Sequence, residues 1–151
     1  MNMVMPLLMN LLACAVAVCC VGCASVGGEW KLAAKEPPAT EDISGAWEGT
    51  WLSKKSGHKG KLRCLMTKKS DSEYEAYFHA SFWKLFAARY RVMLQATQTA
   101  ENEFRLEGTA EIGGLASGEY TYRGVATPTR YSATYQAEKD HGTFEMQRVQ
   151  Q

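Results

Sequence analysis

From residue 45 onward the chain alternates apolar and polar positions with a period of two. Gly45, Trp47, Gly49 and Trp51 fall on one face of the first segment. Ala46, Glu48, Thr50 and Leu52 fall on the other. The same alternation returns in residues 61–67 (Leu62, Cys64 and Met66 in phase), 73–80 (Tyr74, Ala76, Phe78 and Ala80) and 89–97 (Tyr90, Val92, Leu94 and Ala96). It continues through 103–112 (Phe104, Leu106, Gly108, Ala110 and Ile112), 118–126 (Tyr120, Tyr122, Gly124 and Ala126), 130–137 (Tyr131, Ala133 and Tyr135) and 143–149 (Phe144, Met146 and Arg148). Polar or glycine-containing turns at 53–59, 68–72, 99–102, 113–117, 127–129 and 138–142 separate these runs. Eight short strands at regular spacing predict an all-β fold, a small antiparallel eight-stranded up-and-down barrel. One dry face and one wet face per strand fits an antiparallel sheet, and closing it leaves no open edge. Residues 81–88 escape the pattern because Phe82, Trp83, Leu85 and Phe86 crowd together. A helical turn over the barrel mouth and a bulged strand extension both fit them.

The N-terminus reads differently. Residues 1–23 carry no acidic or basic side chain, and the apolar run 7–21 is short for a membrane span but suits a signal-peptide core. It ends in Cys20-Val21-Gly22-Cys23-Ala24-Ser25. This resembles the lipobox of bacterial lipoproteins, in which a small residue precedes the Cys that is lipidated. The resemblance implies a signal peptide over 1–22, lipidation of Cys23 and a membrane anchor. Ala24 after the Cys implies onward sorting to the outer membrane, facing the periplasm. Cys14, Cys19 and Cys20 would leave with the signal peptide, so Cys64 alone would remain in the domain and no internal disulfide could form. Cys64 shares a phase with Leu62 and Met66, which suits a small buried hydrophobe. Residues 23–43, with Gly27-Gly28 and Pro37-Pro38, show no sustained period and are expected to be a flexible tether. Within it Glu29-Trp30-Lys31-Leu32 could form a short interfacial turn with Trp30 at the lipid headgroups. Residues 44–149 then make one domain.

Net charge is +1, which gives no global pull toward nucleic acid. The charge is uneven: residues 45–95 carry ten Lys/Arg against four acids, and residues 96–151 carry five against eight. Two barrel walls of opposite sign would result, either plain solvated surface or a basic patch toward anionic lipid or polysaccharide.

Gly45-x-Trp47 in the first strand, with Arg148 in the last, is similar to the signature of the calycin superfamily, the lipocalins and their relatives. The resemblance implies that Trp47 packs at the closed end of the barrel with Arg148 over its ring, a cation–π contact of about 0.5–2 kcal/mol. The wider pattern, from Gly45-Ala46-Trp47-Glu48-Gly49-Thr50-Trp51 to Asp140-His141-Gly142-Thr143-Phe144, resembles small uncharacterised bacterial lipoproteins and implies no activity.

Catalytic chemistry has little support. His58, His79 and His141 sit on separate loops or faces with no metal-ligand spacing, and no nucleophile elbow surrounds any serine. The glycines match turns and no phosphate-binding loop. No cofactor is expected. The inward face is the unusual feature. It carries Trp47, Trp51, Tyr74, Phe78, Tyr90, Phe104, Tyr120, Tyr122, Tyr131, Tyr135 and Phe144 among glycines and alanines. Large beside small can interlock into a filled interior. Yet buried tyrosine hydroxyls need partners, and few inward polar side chains supply them. Trp51, Tyr74, Phe78, Tyr90, Tyr120, Tyr122 and Tyr135 are therefore the candidate lining of a pocket for a small apolar or amphipathic ligand. The expectation is a lipid-anchored, non-enzymatic envelope protein that binds such a ligand. The alternative is a structural protein with a filled barrel that meets envelope protein partners.

Overall fold

The computed structural model describes residues 26–39, 41–83 and 86–150. These form one helix, α1 (Val26–Ala33), and eight strands: β1 (Gly45–Ser53), β2 (Lys59–Ser70), β3 (Glu73–Phe82), β4 (Phe86–Ala100), β5 (Glu103–Ile112), β6 (Gly118–Ala126), β7 (Arg130–Gln136) and β8 (His141–Arg148). A 3-10 turn, Gly114–Ala116, lies between β5 and β6. The strands form one closed antiparallel barrel in sequence order, with β8 returning to pair with β1. The signal segment and Cys23 lie outside the described residues.

The inward phase runs unbroken around the barrel. Trp47 stands opposite Cys64, Cys64 opposite Phe78, and Phe78 opposite Tyr90. Further round, Gly108 meets Tyr122, Tyr122 meets Tyr135, and Ala133 meets Phe144. A slip of one residue in any pair would turn its apolar set outward, so the hydrophobic pattern fixes the register. β5 and β6 have the limits that alternation predicts. β2 and β4 run longer, because pairing in a hairpin continues past the last buried side chain into exposed polar residues such as Lys68, Lys69 and Gln98, and β3 gains Ser81 and Phe82.

Residues 81, 82 and 86–88 resolve in favour of strand. Phe82 pairs with Phe86 across the β3–β4 hairpin, and Trp83 turns the chain with φ +46, while residues 84 and 85 lie outside the described set. A positive φ is costly for a bulky residue. Trp83 stacks on Phe82 with 4.6 Å between ring centroids, yet it remains 66% exposed.

The stretch expected to be a flexible tether departs from that expectation. Its α1 packs against β1 and β2, and Trp30 is only 8% exposed. The Trp30 indole N–H donates to the Trp47 carbonyl at 3.0 Å, and the Arg63 guanidinium lies 4.5 Å from the Trp30 ring centroid. Trp30 is thus spent on the barrel wall and is not free for lipid headgroups. Helical packing over eight residues leaves too weak a period to be read from sequence. Farther along, Ile43 is fully buried in the barrel core.

Two ends follow from the topology. The β2–β3, β4–β5 and β6–β7 turns lie at the end where β1 starts and β8 finishes. The β1–β2, β3–β4, β5–β6 and β7–β8 turns lie at the other. The first end is plugged. Trp47 donates its indole N–H to the Ile43 carbonyl at 3.0 Å, and Arg148 Nη1 donates to the carbonyls of Ala39, Asp42 and Pro128 at 2.7, 2.9 and 3.3 Å. Gly45, at φ +123, lets the chain turn into β1 directly beneath the guanidinium.

Candidate ligand-binding site

The second end is open. A cavity of about 460 Å³ enters the barrel there, walled by Trp51, Tyr90, Tyr120, Tyr122, Tyr135 and Phe144. Phe82, Phe86 and Ile112 form part of its rim, and Ser53, His58, Lys139 and Asp140 are its polar and charged neighbours. Such a volume is within the range of small-molecule sites. Small residues make the room: Ala80 and Ala88 face each other across β3 and β4 at the level where Trp51 and Tyr90 project.

Phe78 lies just below. Its ring centroid is 5.3 Å from Tyr90, 5.4 Å from Phe144 and 6.2 Å from Tyr122. These rings make the floor of the cavity, and beneath them Trp47, Cys64, Met66, Tyr74, Leu94, Leu106, Tyr131 and Met146 fill the closed half. Five of the seven residues expected to line the pocket, Trp51, Tyr90, Tyr120, Tyr122 and Tyr135, do so. Tyr74 and Phe78 do not. Both point inward as expected, but Tyr74 stands at the plugged end beside Ile43 and Phe78 is roofed by its aromatic neighbours. Alternation gives the face of a side chain, not its height along the barrel axis.

The polar lip was not foreseen. Ser53 closes β1 in the inward phase and is only 1% exposed. Its hydroxyl donates to Asp140 Oδ1 at 2.6 Å, and the Tyr135 hydroxyl donates to Asp140 Oδ2 at 3.0 Å. Asp140 also accepts the His141 backbone N–H at 2.8 Å. The one available signal was Ser53 continuing the phase of Trp47 and Trp51, masked by the polar loop that follows.

Burial holds the lining phenols neutral. Tyr90 and Tyr122 are both pushed well above the ordinary tyrosine value, chiefly by loss of water. Tyr135 and Tyr120 are raised by burial first and by the Asp140 carboxylate second. At neutral pH the pocket therefore offers aromatic faces and uncharged hydroxyl tips. The Cys64 thiol, fully buried, is likewise pushed far up and kept unreactive.

The histidines are scattered. His58 meets the Phe82 and Trp83 rings edge-on, and His79 lies on the outer wall, its pKa lowered by burial and by Arg89 and Arg63. Among the described residues no group of His, Cys, Asp and Glu is arranged to hold a metal ion. A second concavity of about 550 Å³ lies on the outer wall over Gly49, between Glu48, Lys61, Arg63, Arg130 and Glu145. It is open, mixed in sign and separate from the barrel interior.

The fold and this site define a class: a small closed antiparallel barrel, filled at one end and open over an aromatic cavity at the other. No protein-family model matches the chain, and no curated protein matches it either. Solved structures do. The chain is similar to a de novo designed fluorescence-activating β-barrel, with a TM-score of 0.55 at 16% identity, over 75% of this chain and 99% of the design. It is also similar to a redesigned β-barrel, mFAP1, solved bound to DFHBI, with a TM-score of 0.52 at 12% identity, over 74% of this chain and 98% of that one. A further redesigned barrel, b11L5F_LGL, gives a TM-score of 0.53 at 12% identity, over 76% and 97%. At these identities the likeness is one of fold.

Proposed function

We propose that the protein is a binding protein, not an enzyme, that takes a small apolar or amphipathic ligand into the open end of its barrel. The observation that carries this is the cavity of about 460 Å³ walled by Trp51, Tyr90, Tyr120, Tyr122 and Tyr135. A barrel with no such use could close over its core at both ends, as this one does at the Trp47 end. A redesigned barrel of similar fold, solved bound to DFHBI, supports the view that this architecture can hold a small ligand. Through its lipobox-like Gly22-Cys23 the protein would work from a lipid anchor in the cell envelope, at the outer membrane and facing the periplasm.

The test of binding is native mass spectrometry of the protein purified from its own host, followed by titration with 1-anilinonaphthalene-8-sulfonate. A bound small mass, or dye fluorescence that Ala80→Trp abolishes by filling the cavity, supports the proposal. A repeatably bare mass with no dye response overturns it. The anchor is tested separately by Cys23→Ser, which should move the protein from the membrane fraction to the soluble fraction. An unchanged distribution removes the lipid anchor and leaves the cavity untouched.

A further inference from the structure

Several polar groups at the mouth converge on one acceptor. Both the backbone N–H and the hydroxyl of Ser56 meet Ser53 Oγ, at 3.1 and 2.9 Å. Ser53 therefore accepts from Ser56 and spends its own proton on Asp140. Tyr135 spends its proton on the same carboxylate. With the His141 N–H, Asp140 receives three hydrogen bonds in all. An ionised carboxylate has room for about four. Two bonds fall on Oδ1 and one on Oδ2, so the open acceptor position is on Oδ2. Among the described residues, Asp140 forms no ion pair with any Lys, Arg or His. It lines the cavity beside Trp51, Tyr120 and Phe144.

We propose that Asp140 Oδ2 is the polar anchor of the cavity, and that it recognises a neutral N–H donor on a flat, apolar nitrogen heterocycle. This rests on the ligand-binding function above and specifies the ligand class. An acidic headgroup is disfavoured there because the anchor is itself an anion and its neighbours' protons are already committed to it. A cationic amine is disfavoured by Lys139, which lines the cavity together with Asp140, and by Lys54 and Lys55 in the β1–β2 turn, which outnumber the Glu138 carboxylate of the β7–β8 turn at the same end. A neutral donor meets neither objection and leaves its ring to the aromatic walls. Ser53 and Tyr135 act as positioning residues that hold the carboxylate at the lip.

The experiment uses a matched pair, 2-phenylindole and 1-methyl-2-phenylindole, with dodecanoate as the acidic probe, each titrated by fluorescence or calorimetry. The expected result is that wild type binds 2-phenylindole at least about tenfold more tightly than its N-methyl analogue, the worth of one well-placed hydrogen bond. Asp140→Asn should bring the two within about twofold, while continued binding of the N-methyl probe shows that the barrel still stands. Equal wild-type affinities, or a preference that survives in Asp140→Asn, overturn the assignment and leave the cavity's function intact. Dodecanoate binding that displaces 2-phenylindole and weakens when Lys139 is replaced by Met overturns it in favour of an acidic ligand. Failure of wild type to bind any of these probes or the anilinonaphthalene dye overturns both. The wild-type ratio decides the matter without the variant.

Discussion

Arg148 Cζ lies 5.6 Å from the centroid of the Trp47 ring, and the two residues face each other directly across β8 and β1. Arg148 is 5% exposed and the pKa of its guanidinium is lowered, first by burial and against the pull of Asp42. Its Nη1 binds three carbonyls, while Nε and Nη2 are buried without a hydrogen-bond partner among the described residues and lie close to Gly45. One residue thereby locks the chain before β1, the β6–β7 turn and the barrel seam.

Removing that lock should be expensive. Arg148→Ala should destabilise the protein by about 2–4 kcal/mol, since it strips three part-buried carbonyls of their donor and opens a void over Trp47. Arg148→Lys should recover part of this, because an ammonium keeps the charge but loses the planar fork. Urea denaturation checks both, and a loss under about 1 kcal/mol for the alanine variant would show that the plug does not depend on the arginine.

The seam between β1 and β8 depends on Gly49. A Cβ there would lie 1.9 Å from the Glu145 carbonyl oxygen and 2.6 Å from Met146 Cα, both backbone atoms that cannot step aside. Gly49→Ala should therefore part the two strands and cost more than about 3 kcal/mol, or prevent folding. Gly113→Ala has open space around its Cβ and should change the melting temperature by no more than a few degrees. Equal melting temperatures for the two variants would contradict the close approach at the seam.

Tyr131 and Tyr135 should respond oppositely to loss of their hydroxyls. The Tyr131 hydroxyl is buried without a partner among the described residues, so Tyr131→Phe should leave stability unchanged or raise it by up to about 1 kcal/mol. Tyr135 donates to Asp140, so Tyr135→Phe should cost about 1–2 kcal/mol. Chemical denaturation of the two variants side by side measures the contrast.

Alkaline pH should unfold the barrel cooperatively. The phenols of Tyr122 and Tyr131 are buried and raised well above their ordinary value, chiefly by loss of water. In the unfolded chain they ionise near pH 10. Below that pH their contribution is fully present. Above it the unfolded state releases protons that the folded state keeps, so stability falls as pH rises, by about 1.4 kcal/mol per pH unit for each such group. Absorbance at 295 nm should therefore rise for the buried tyrosines only together with loss of near-ultraviolet circular dichroism. Stepwise ionisation with an intact aromatic signal would count against their burial.

Much of the fold was legible because a barrel strand needs only a local rule. Side chains alternate by stereochemistry, so apolar residues at every second position declare which face is dry, and Gly45, Trp47 and Arg148 marked one end of the tube. That reasoning also placed Trp51, Tyr90, Tyr120, Tyr122 and Tyr135 inward, where the cavity needs them. It could not rank Tyr74 and Phe78 by depth. Height is set by the stagger of all eight strands around the closure, and no single segment carries that. Nor could it bring Ser53 to Asp140, which are 87 residues apart and adjacent only because β8 closes on β1. The docking of Trp30 onto the wall came from the same source, a surface that exists only after closure. The sequence by itself determined strand number, facing and order, since those follow from neighbours along the chain. Tertiary structure alone decided which end opens and what stands at its lip, since those depend on where the last strand meets the first.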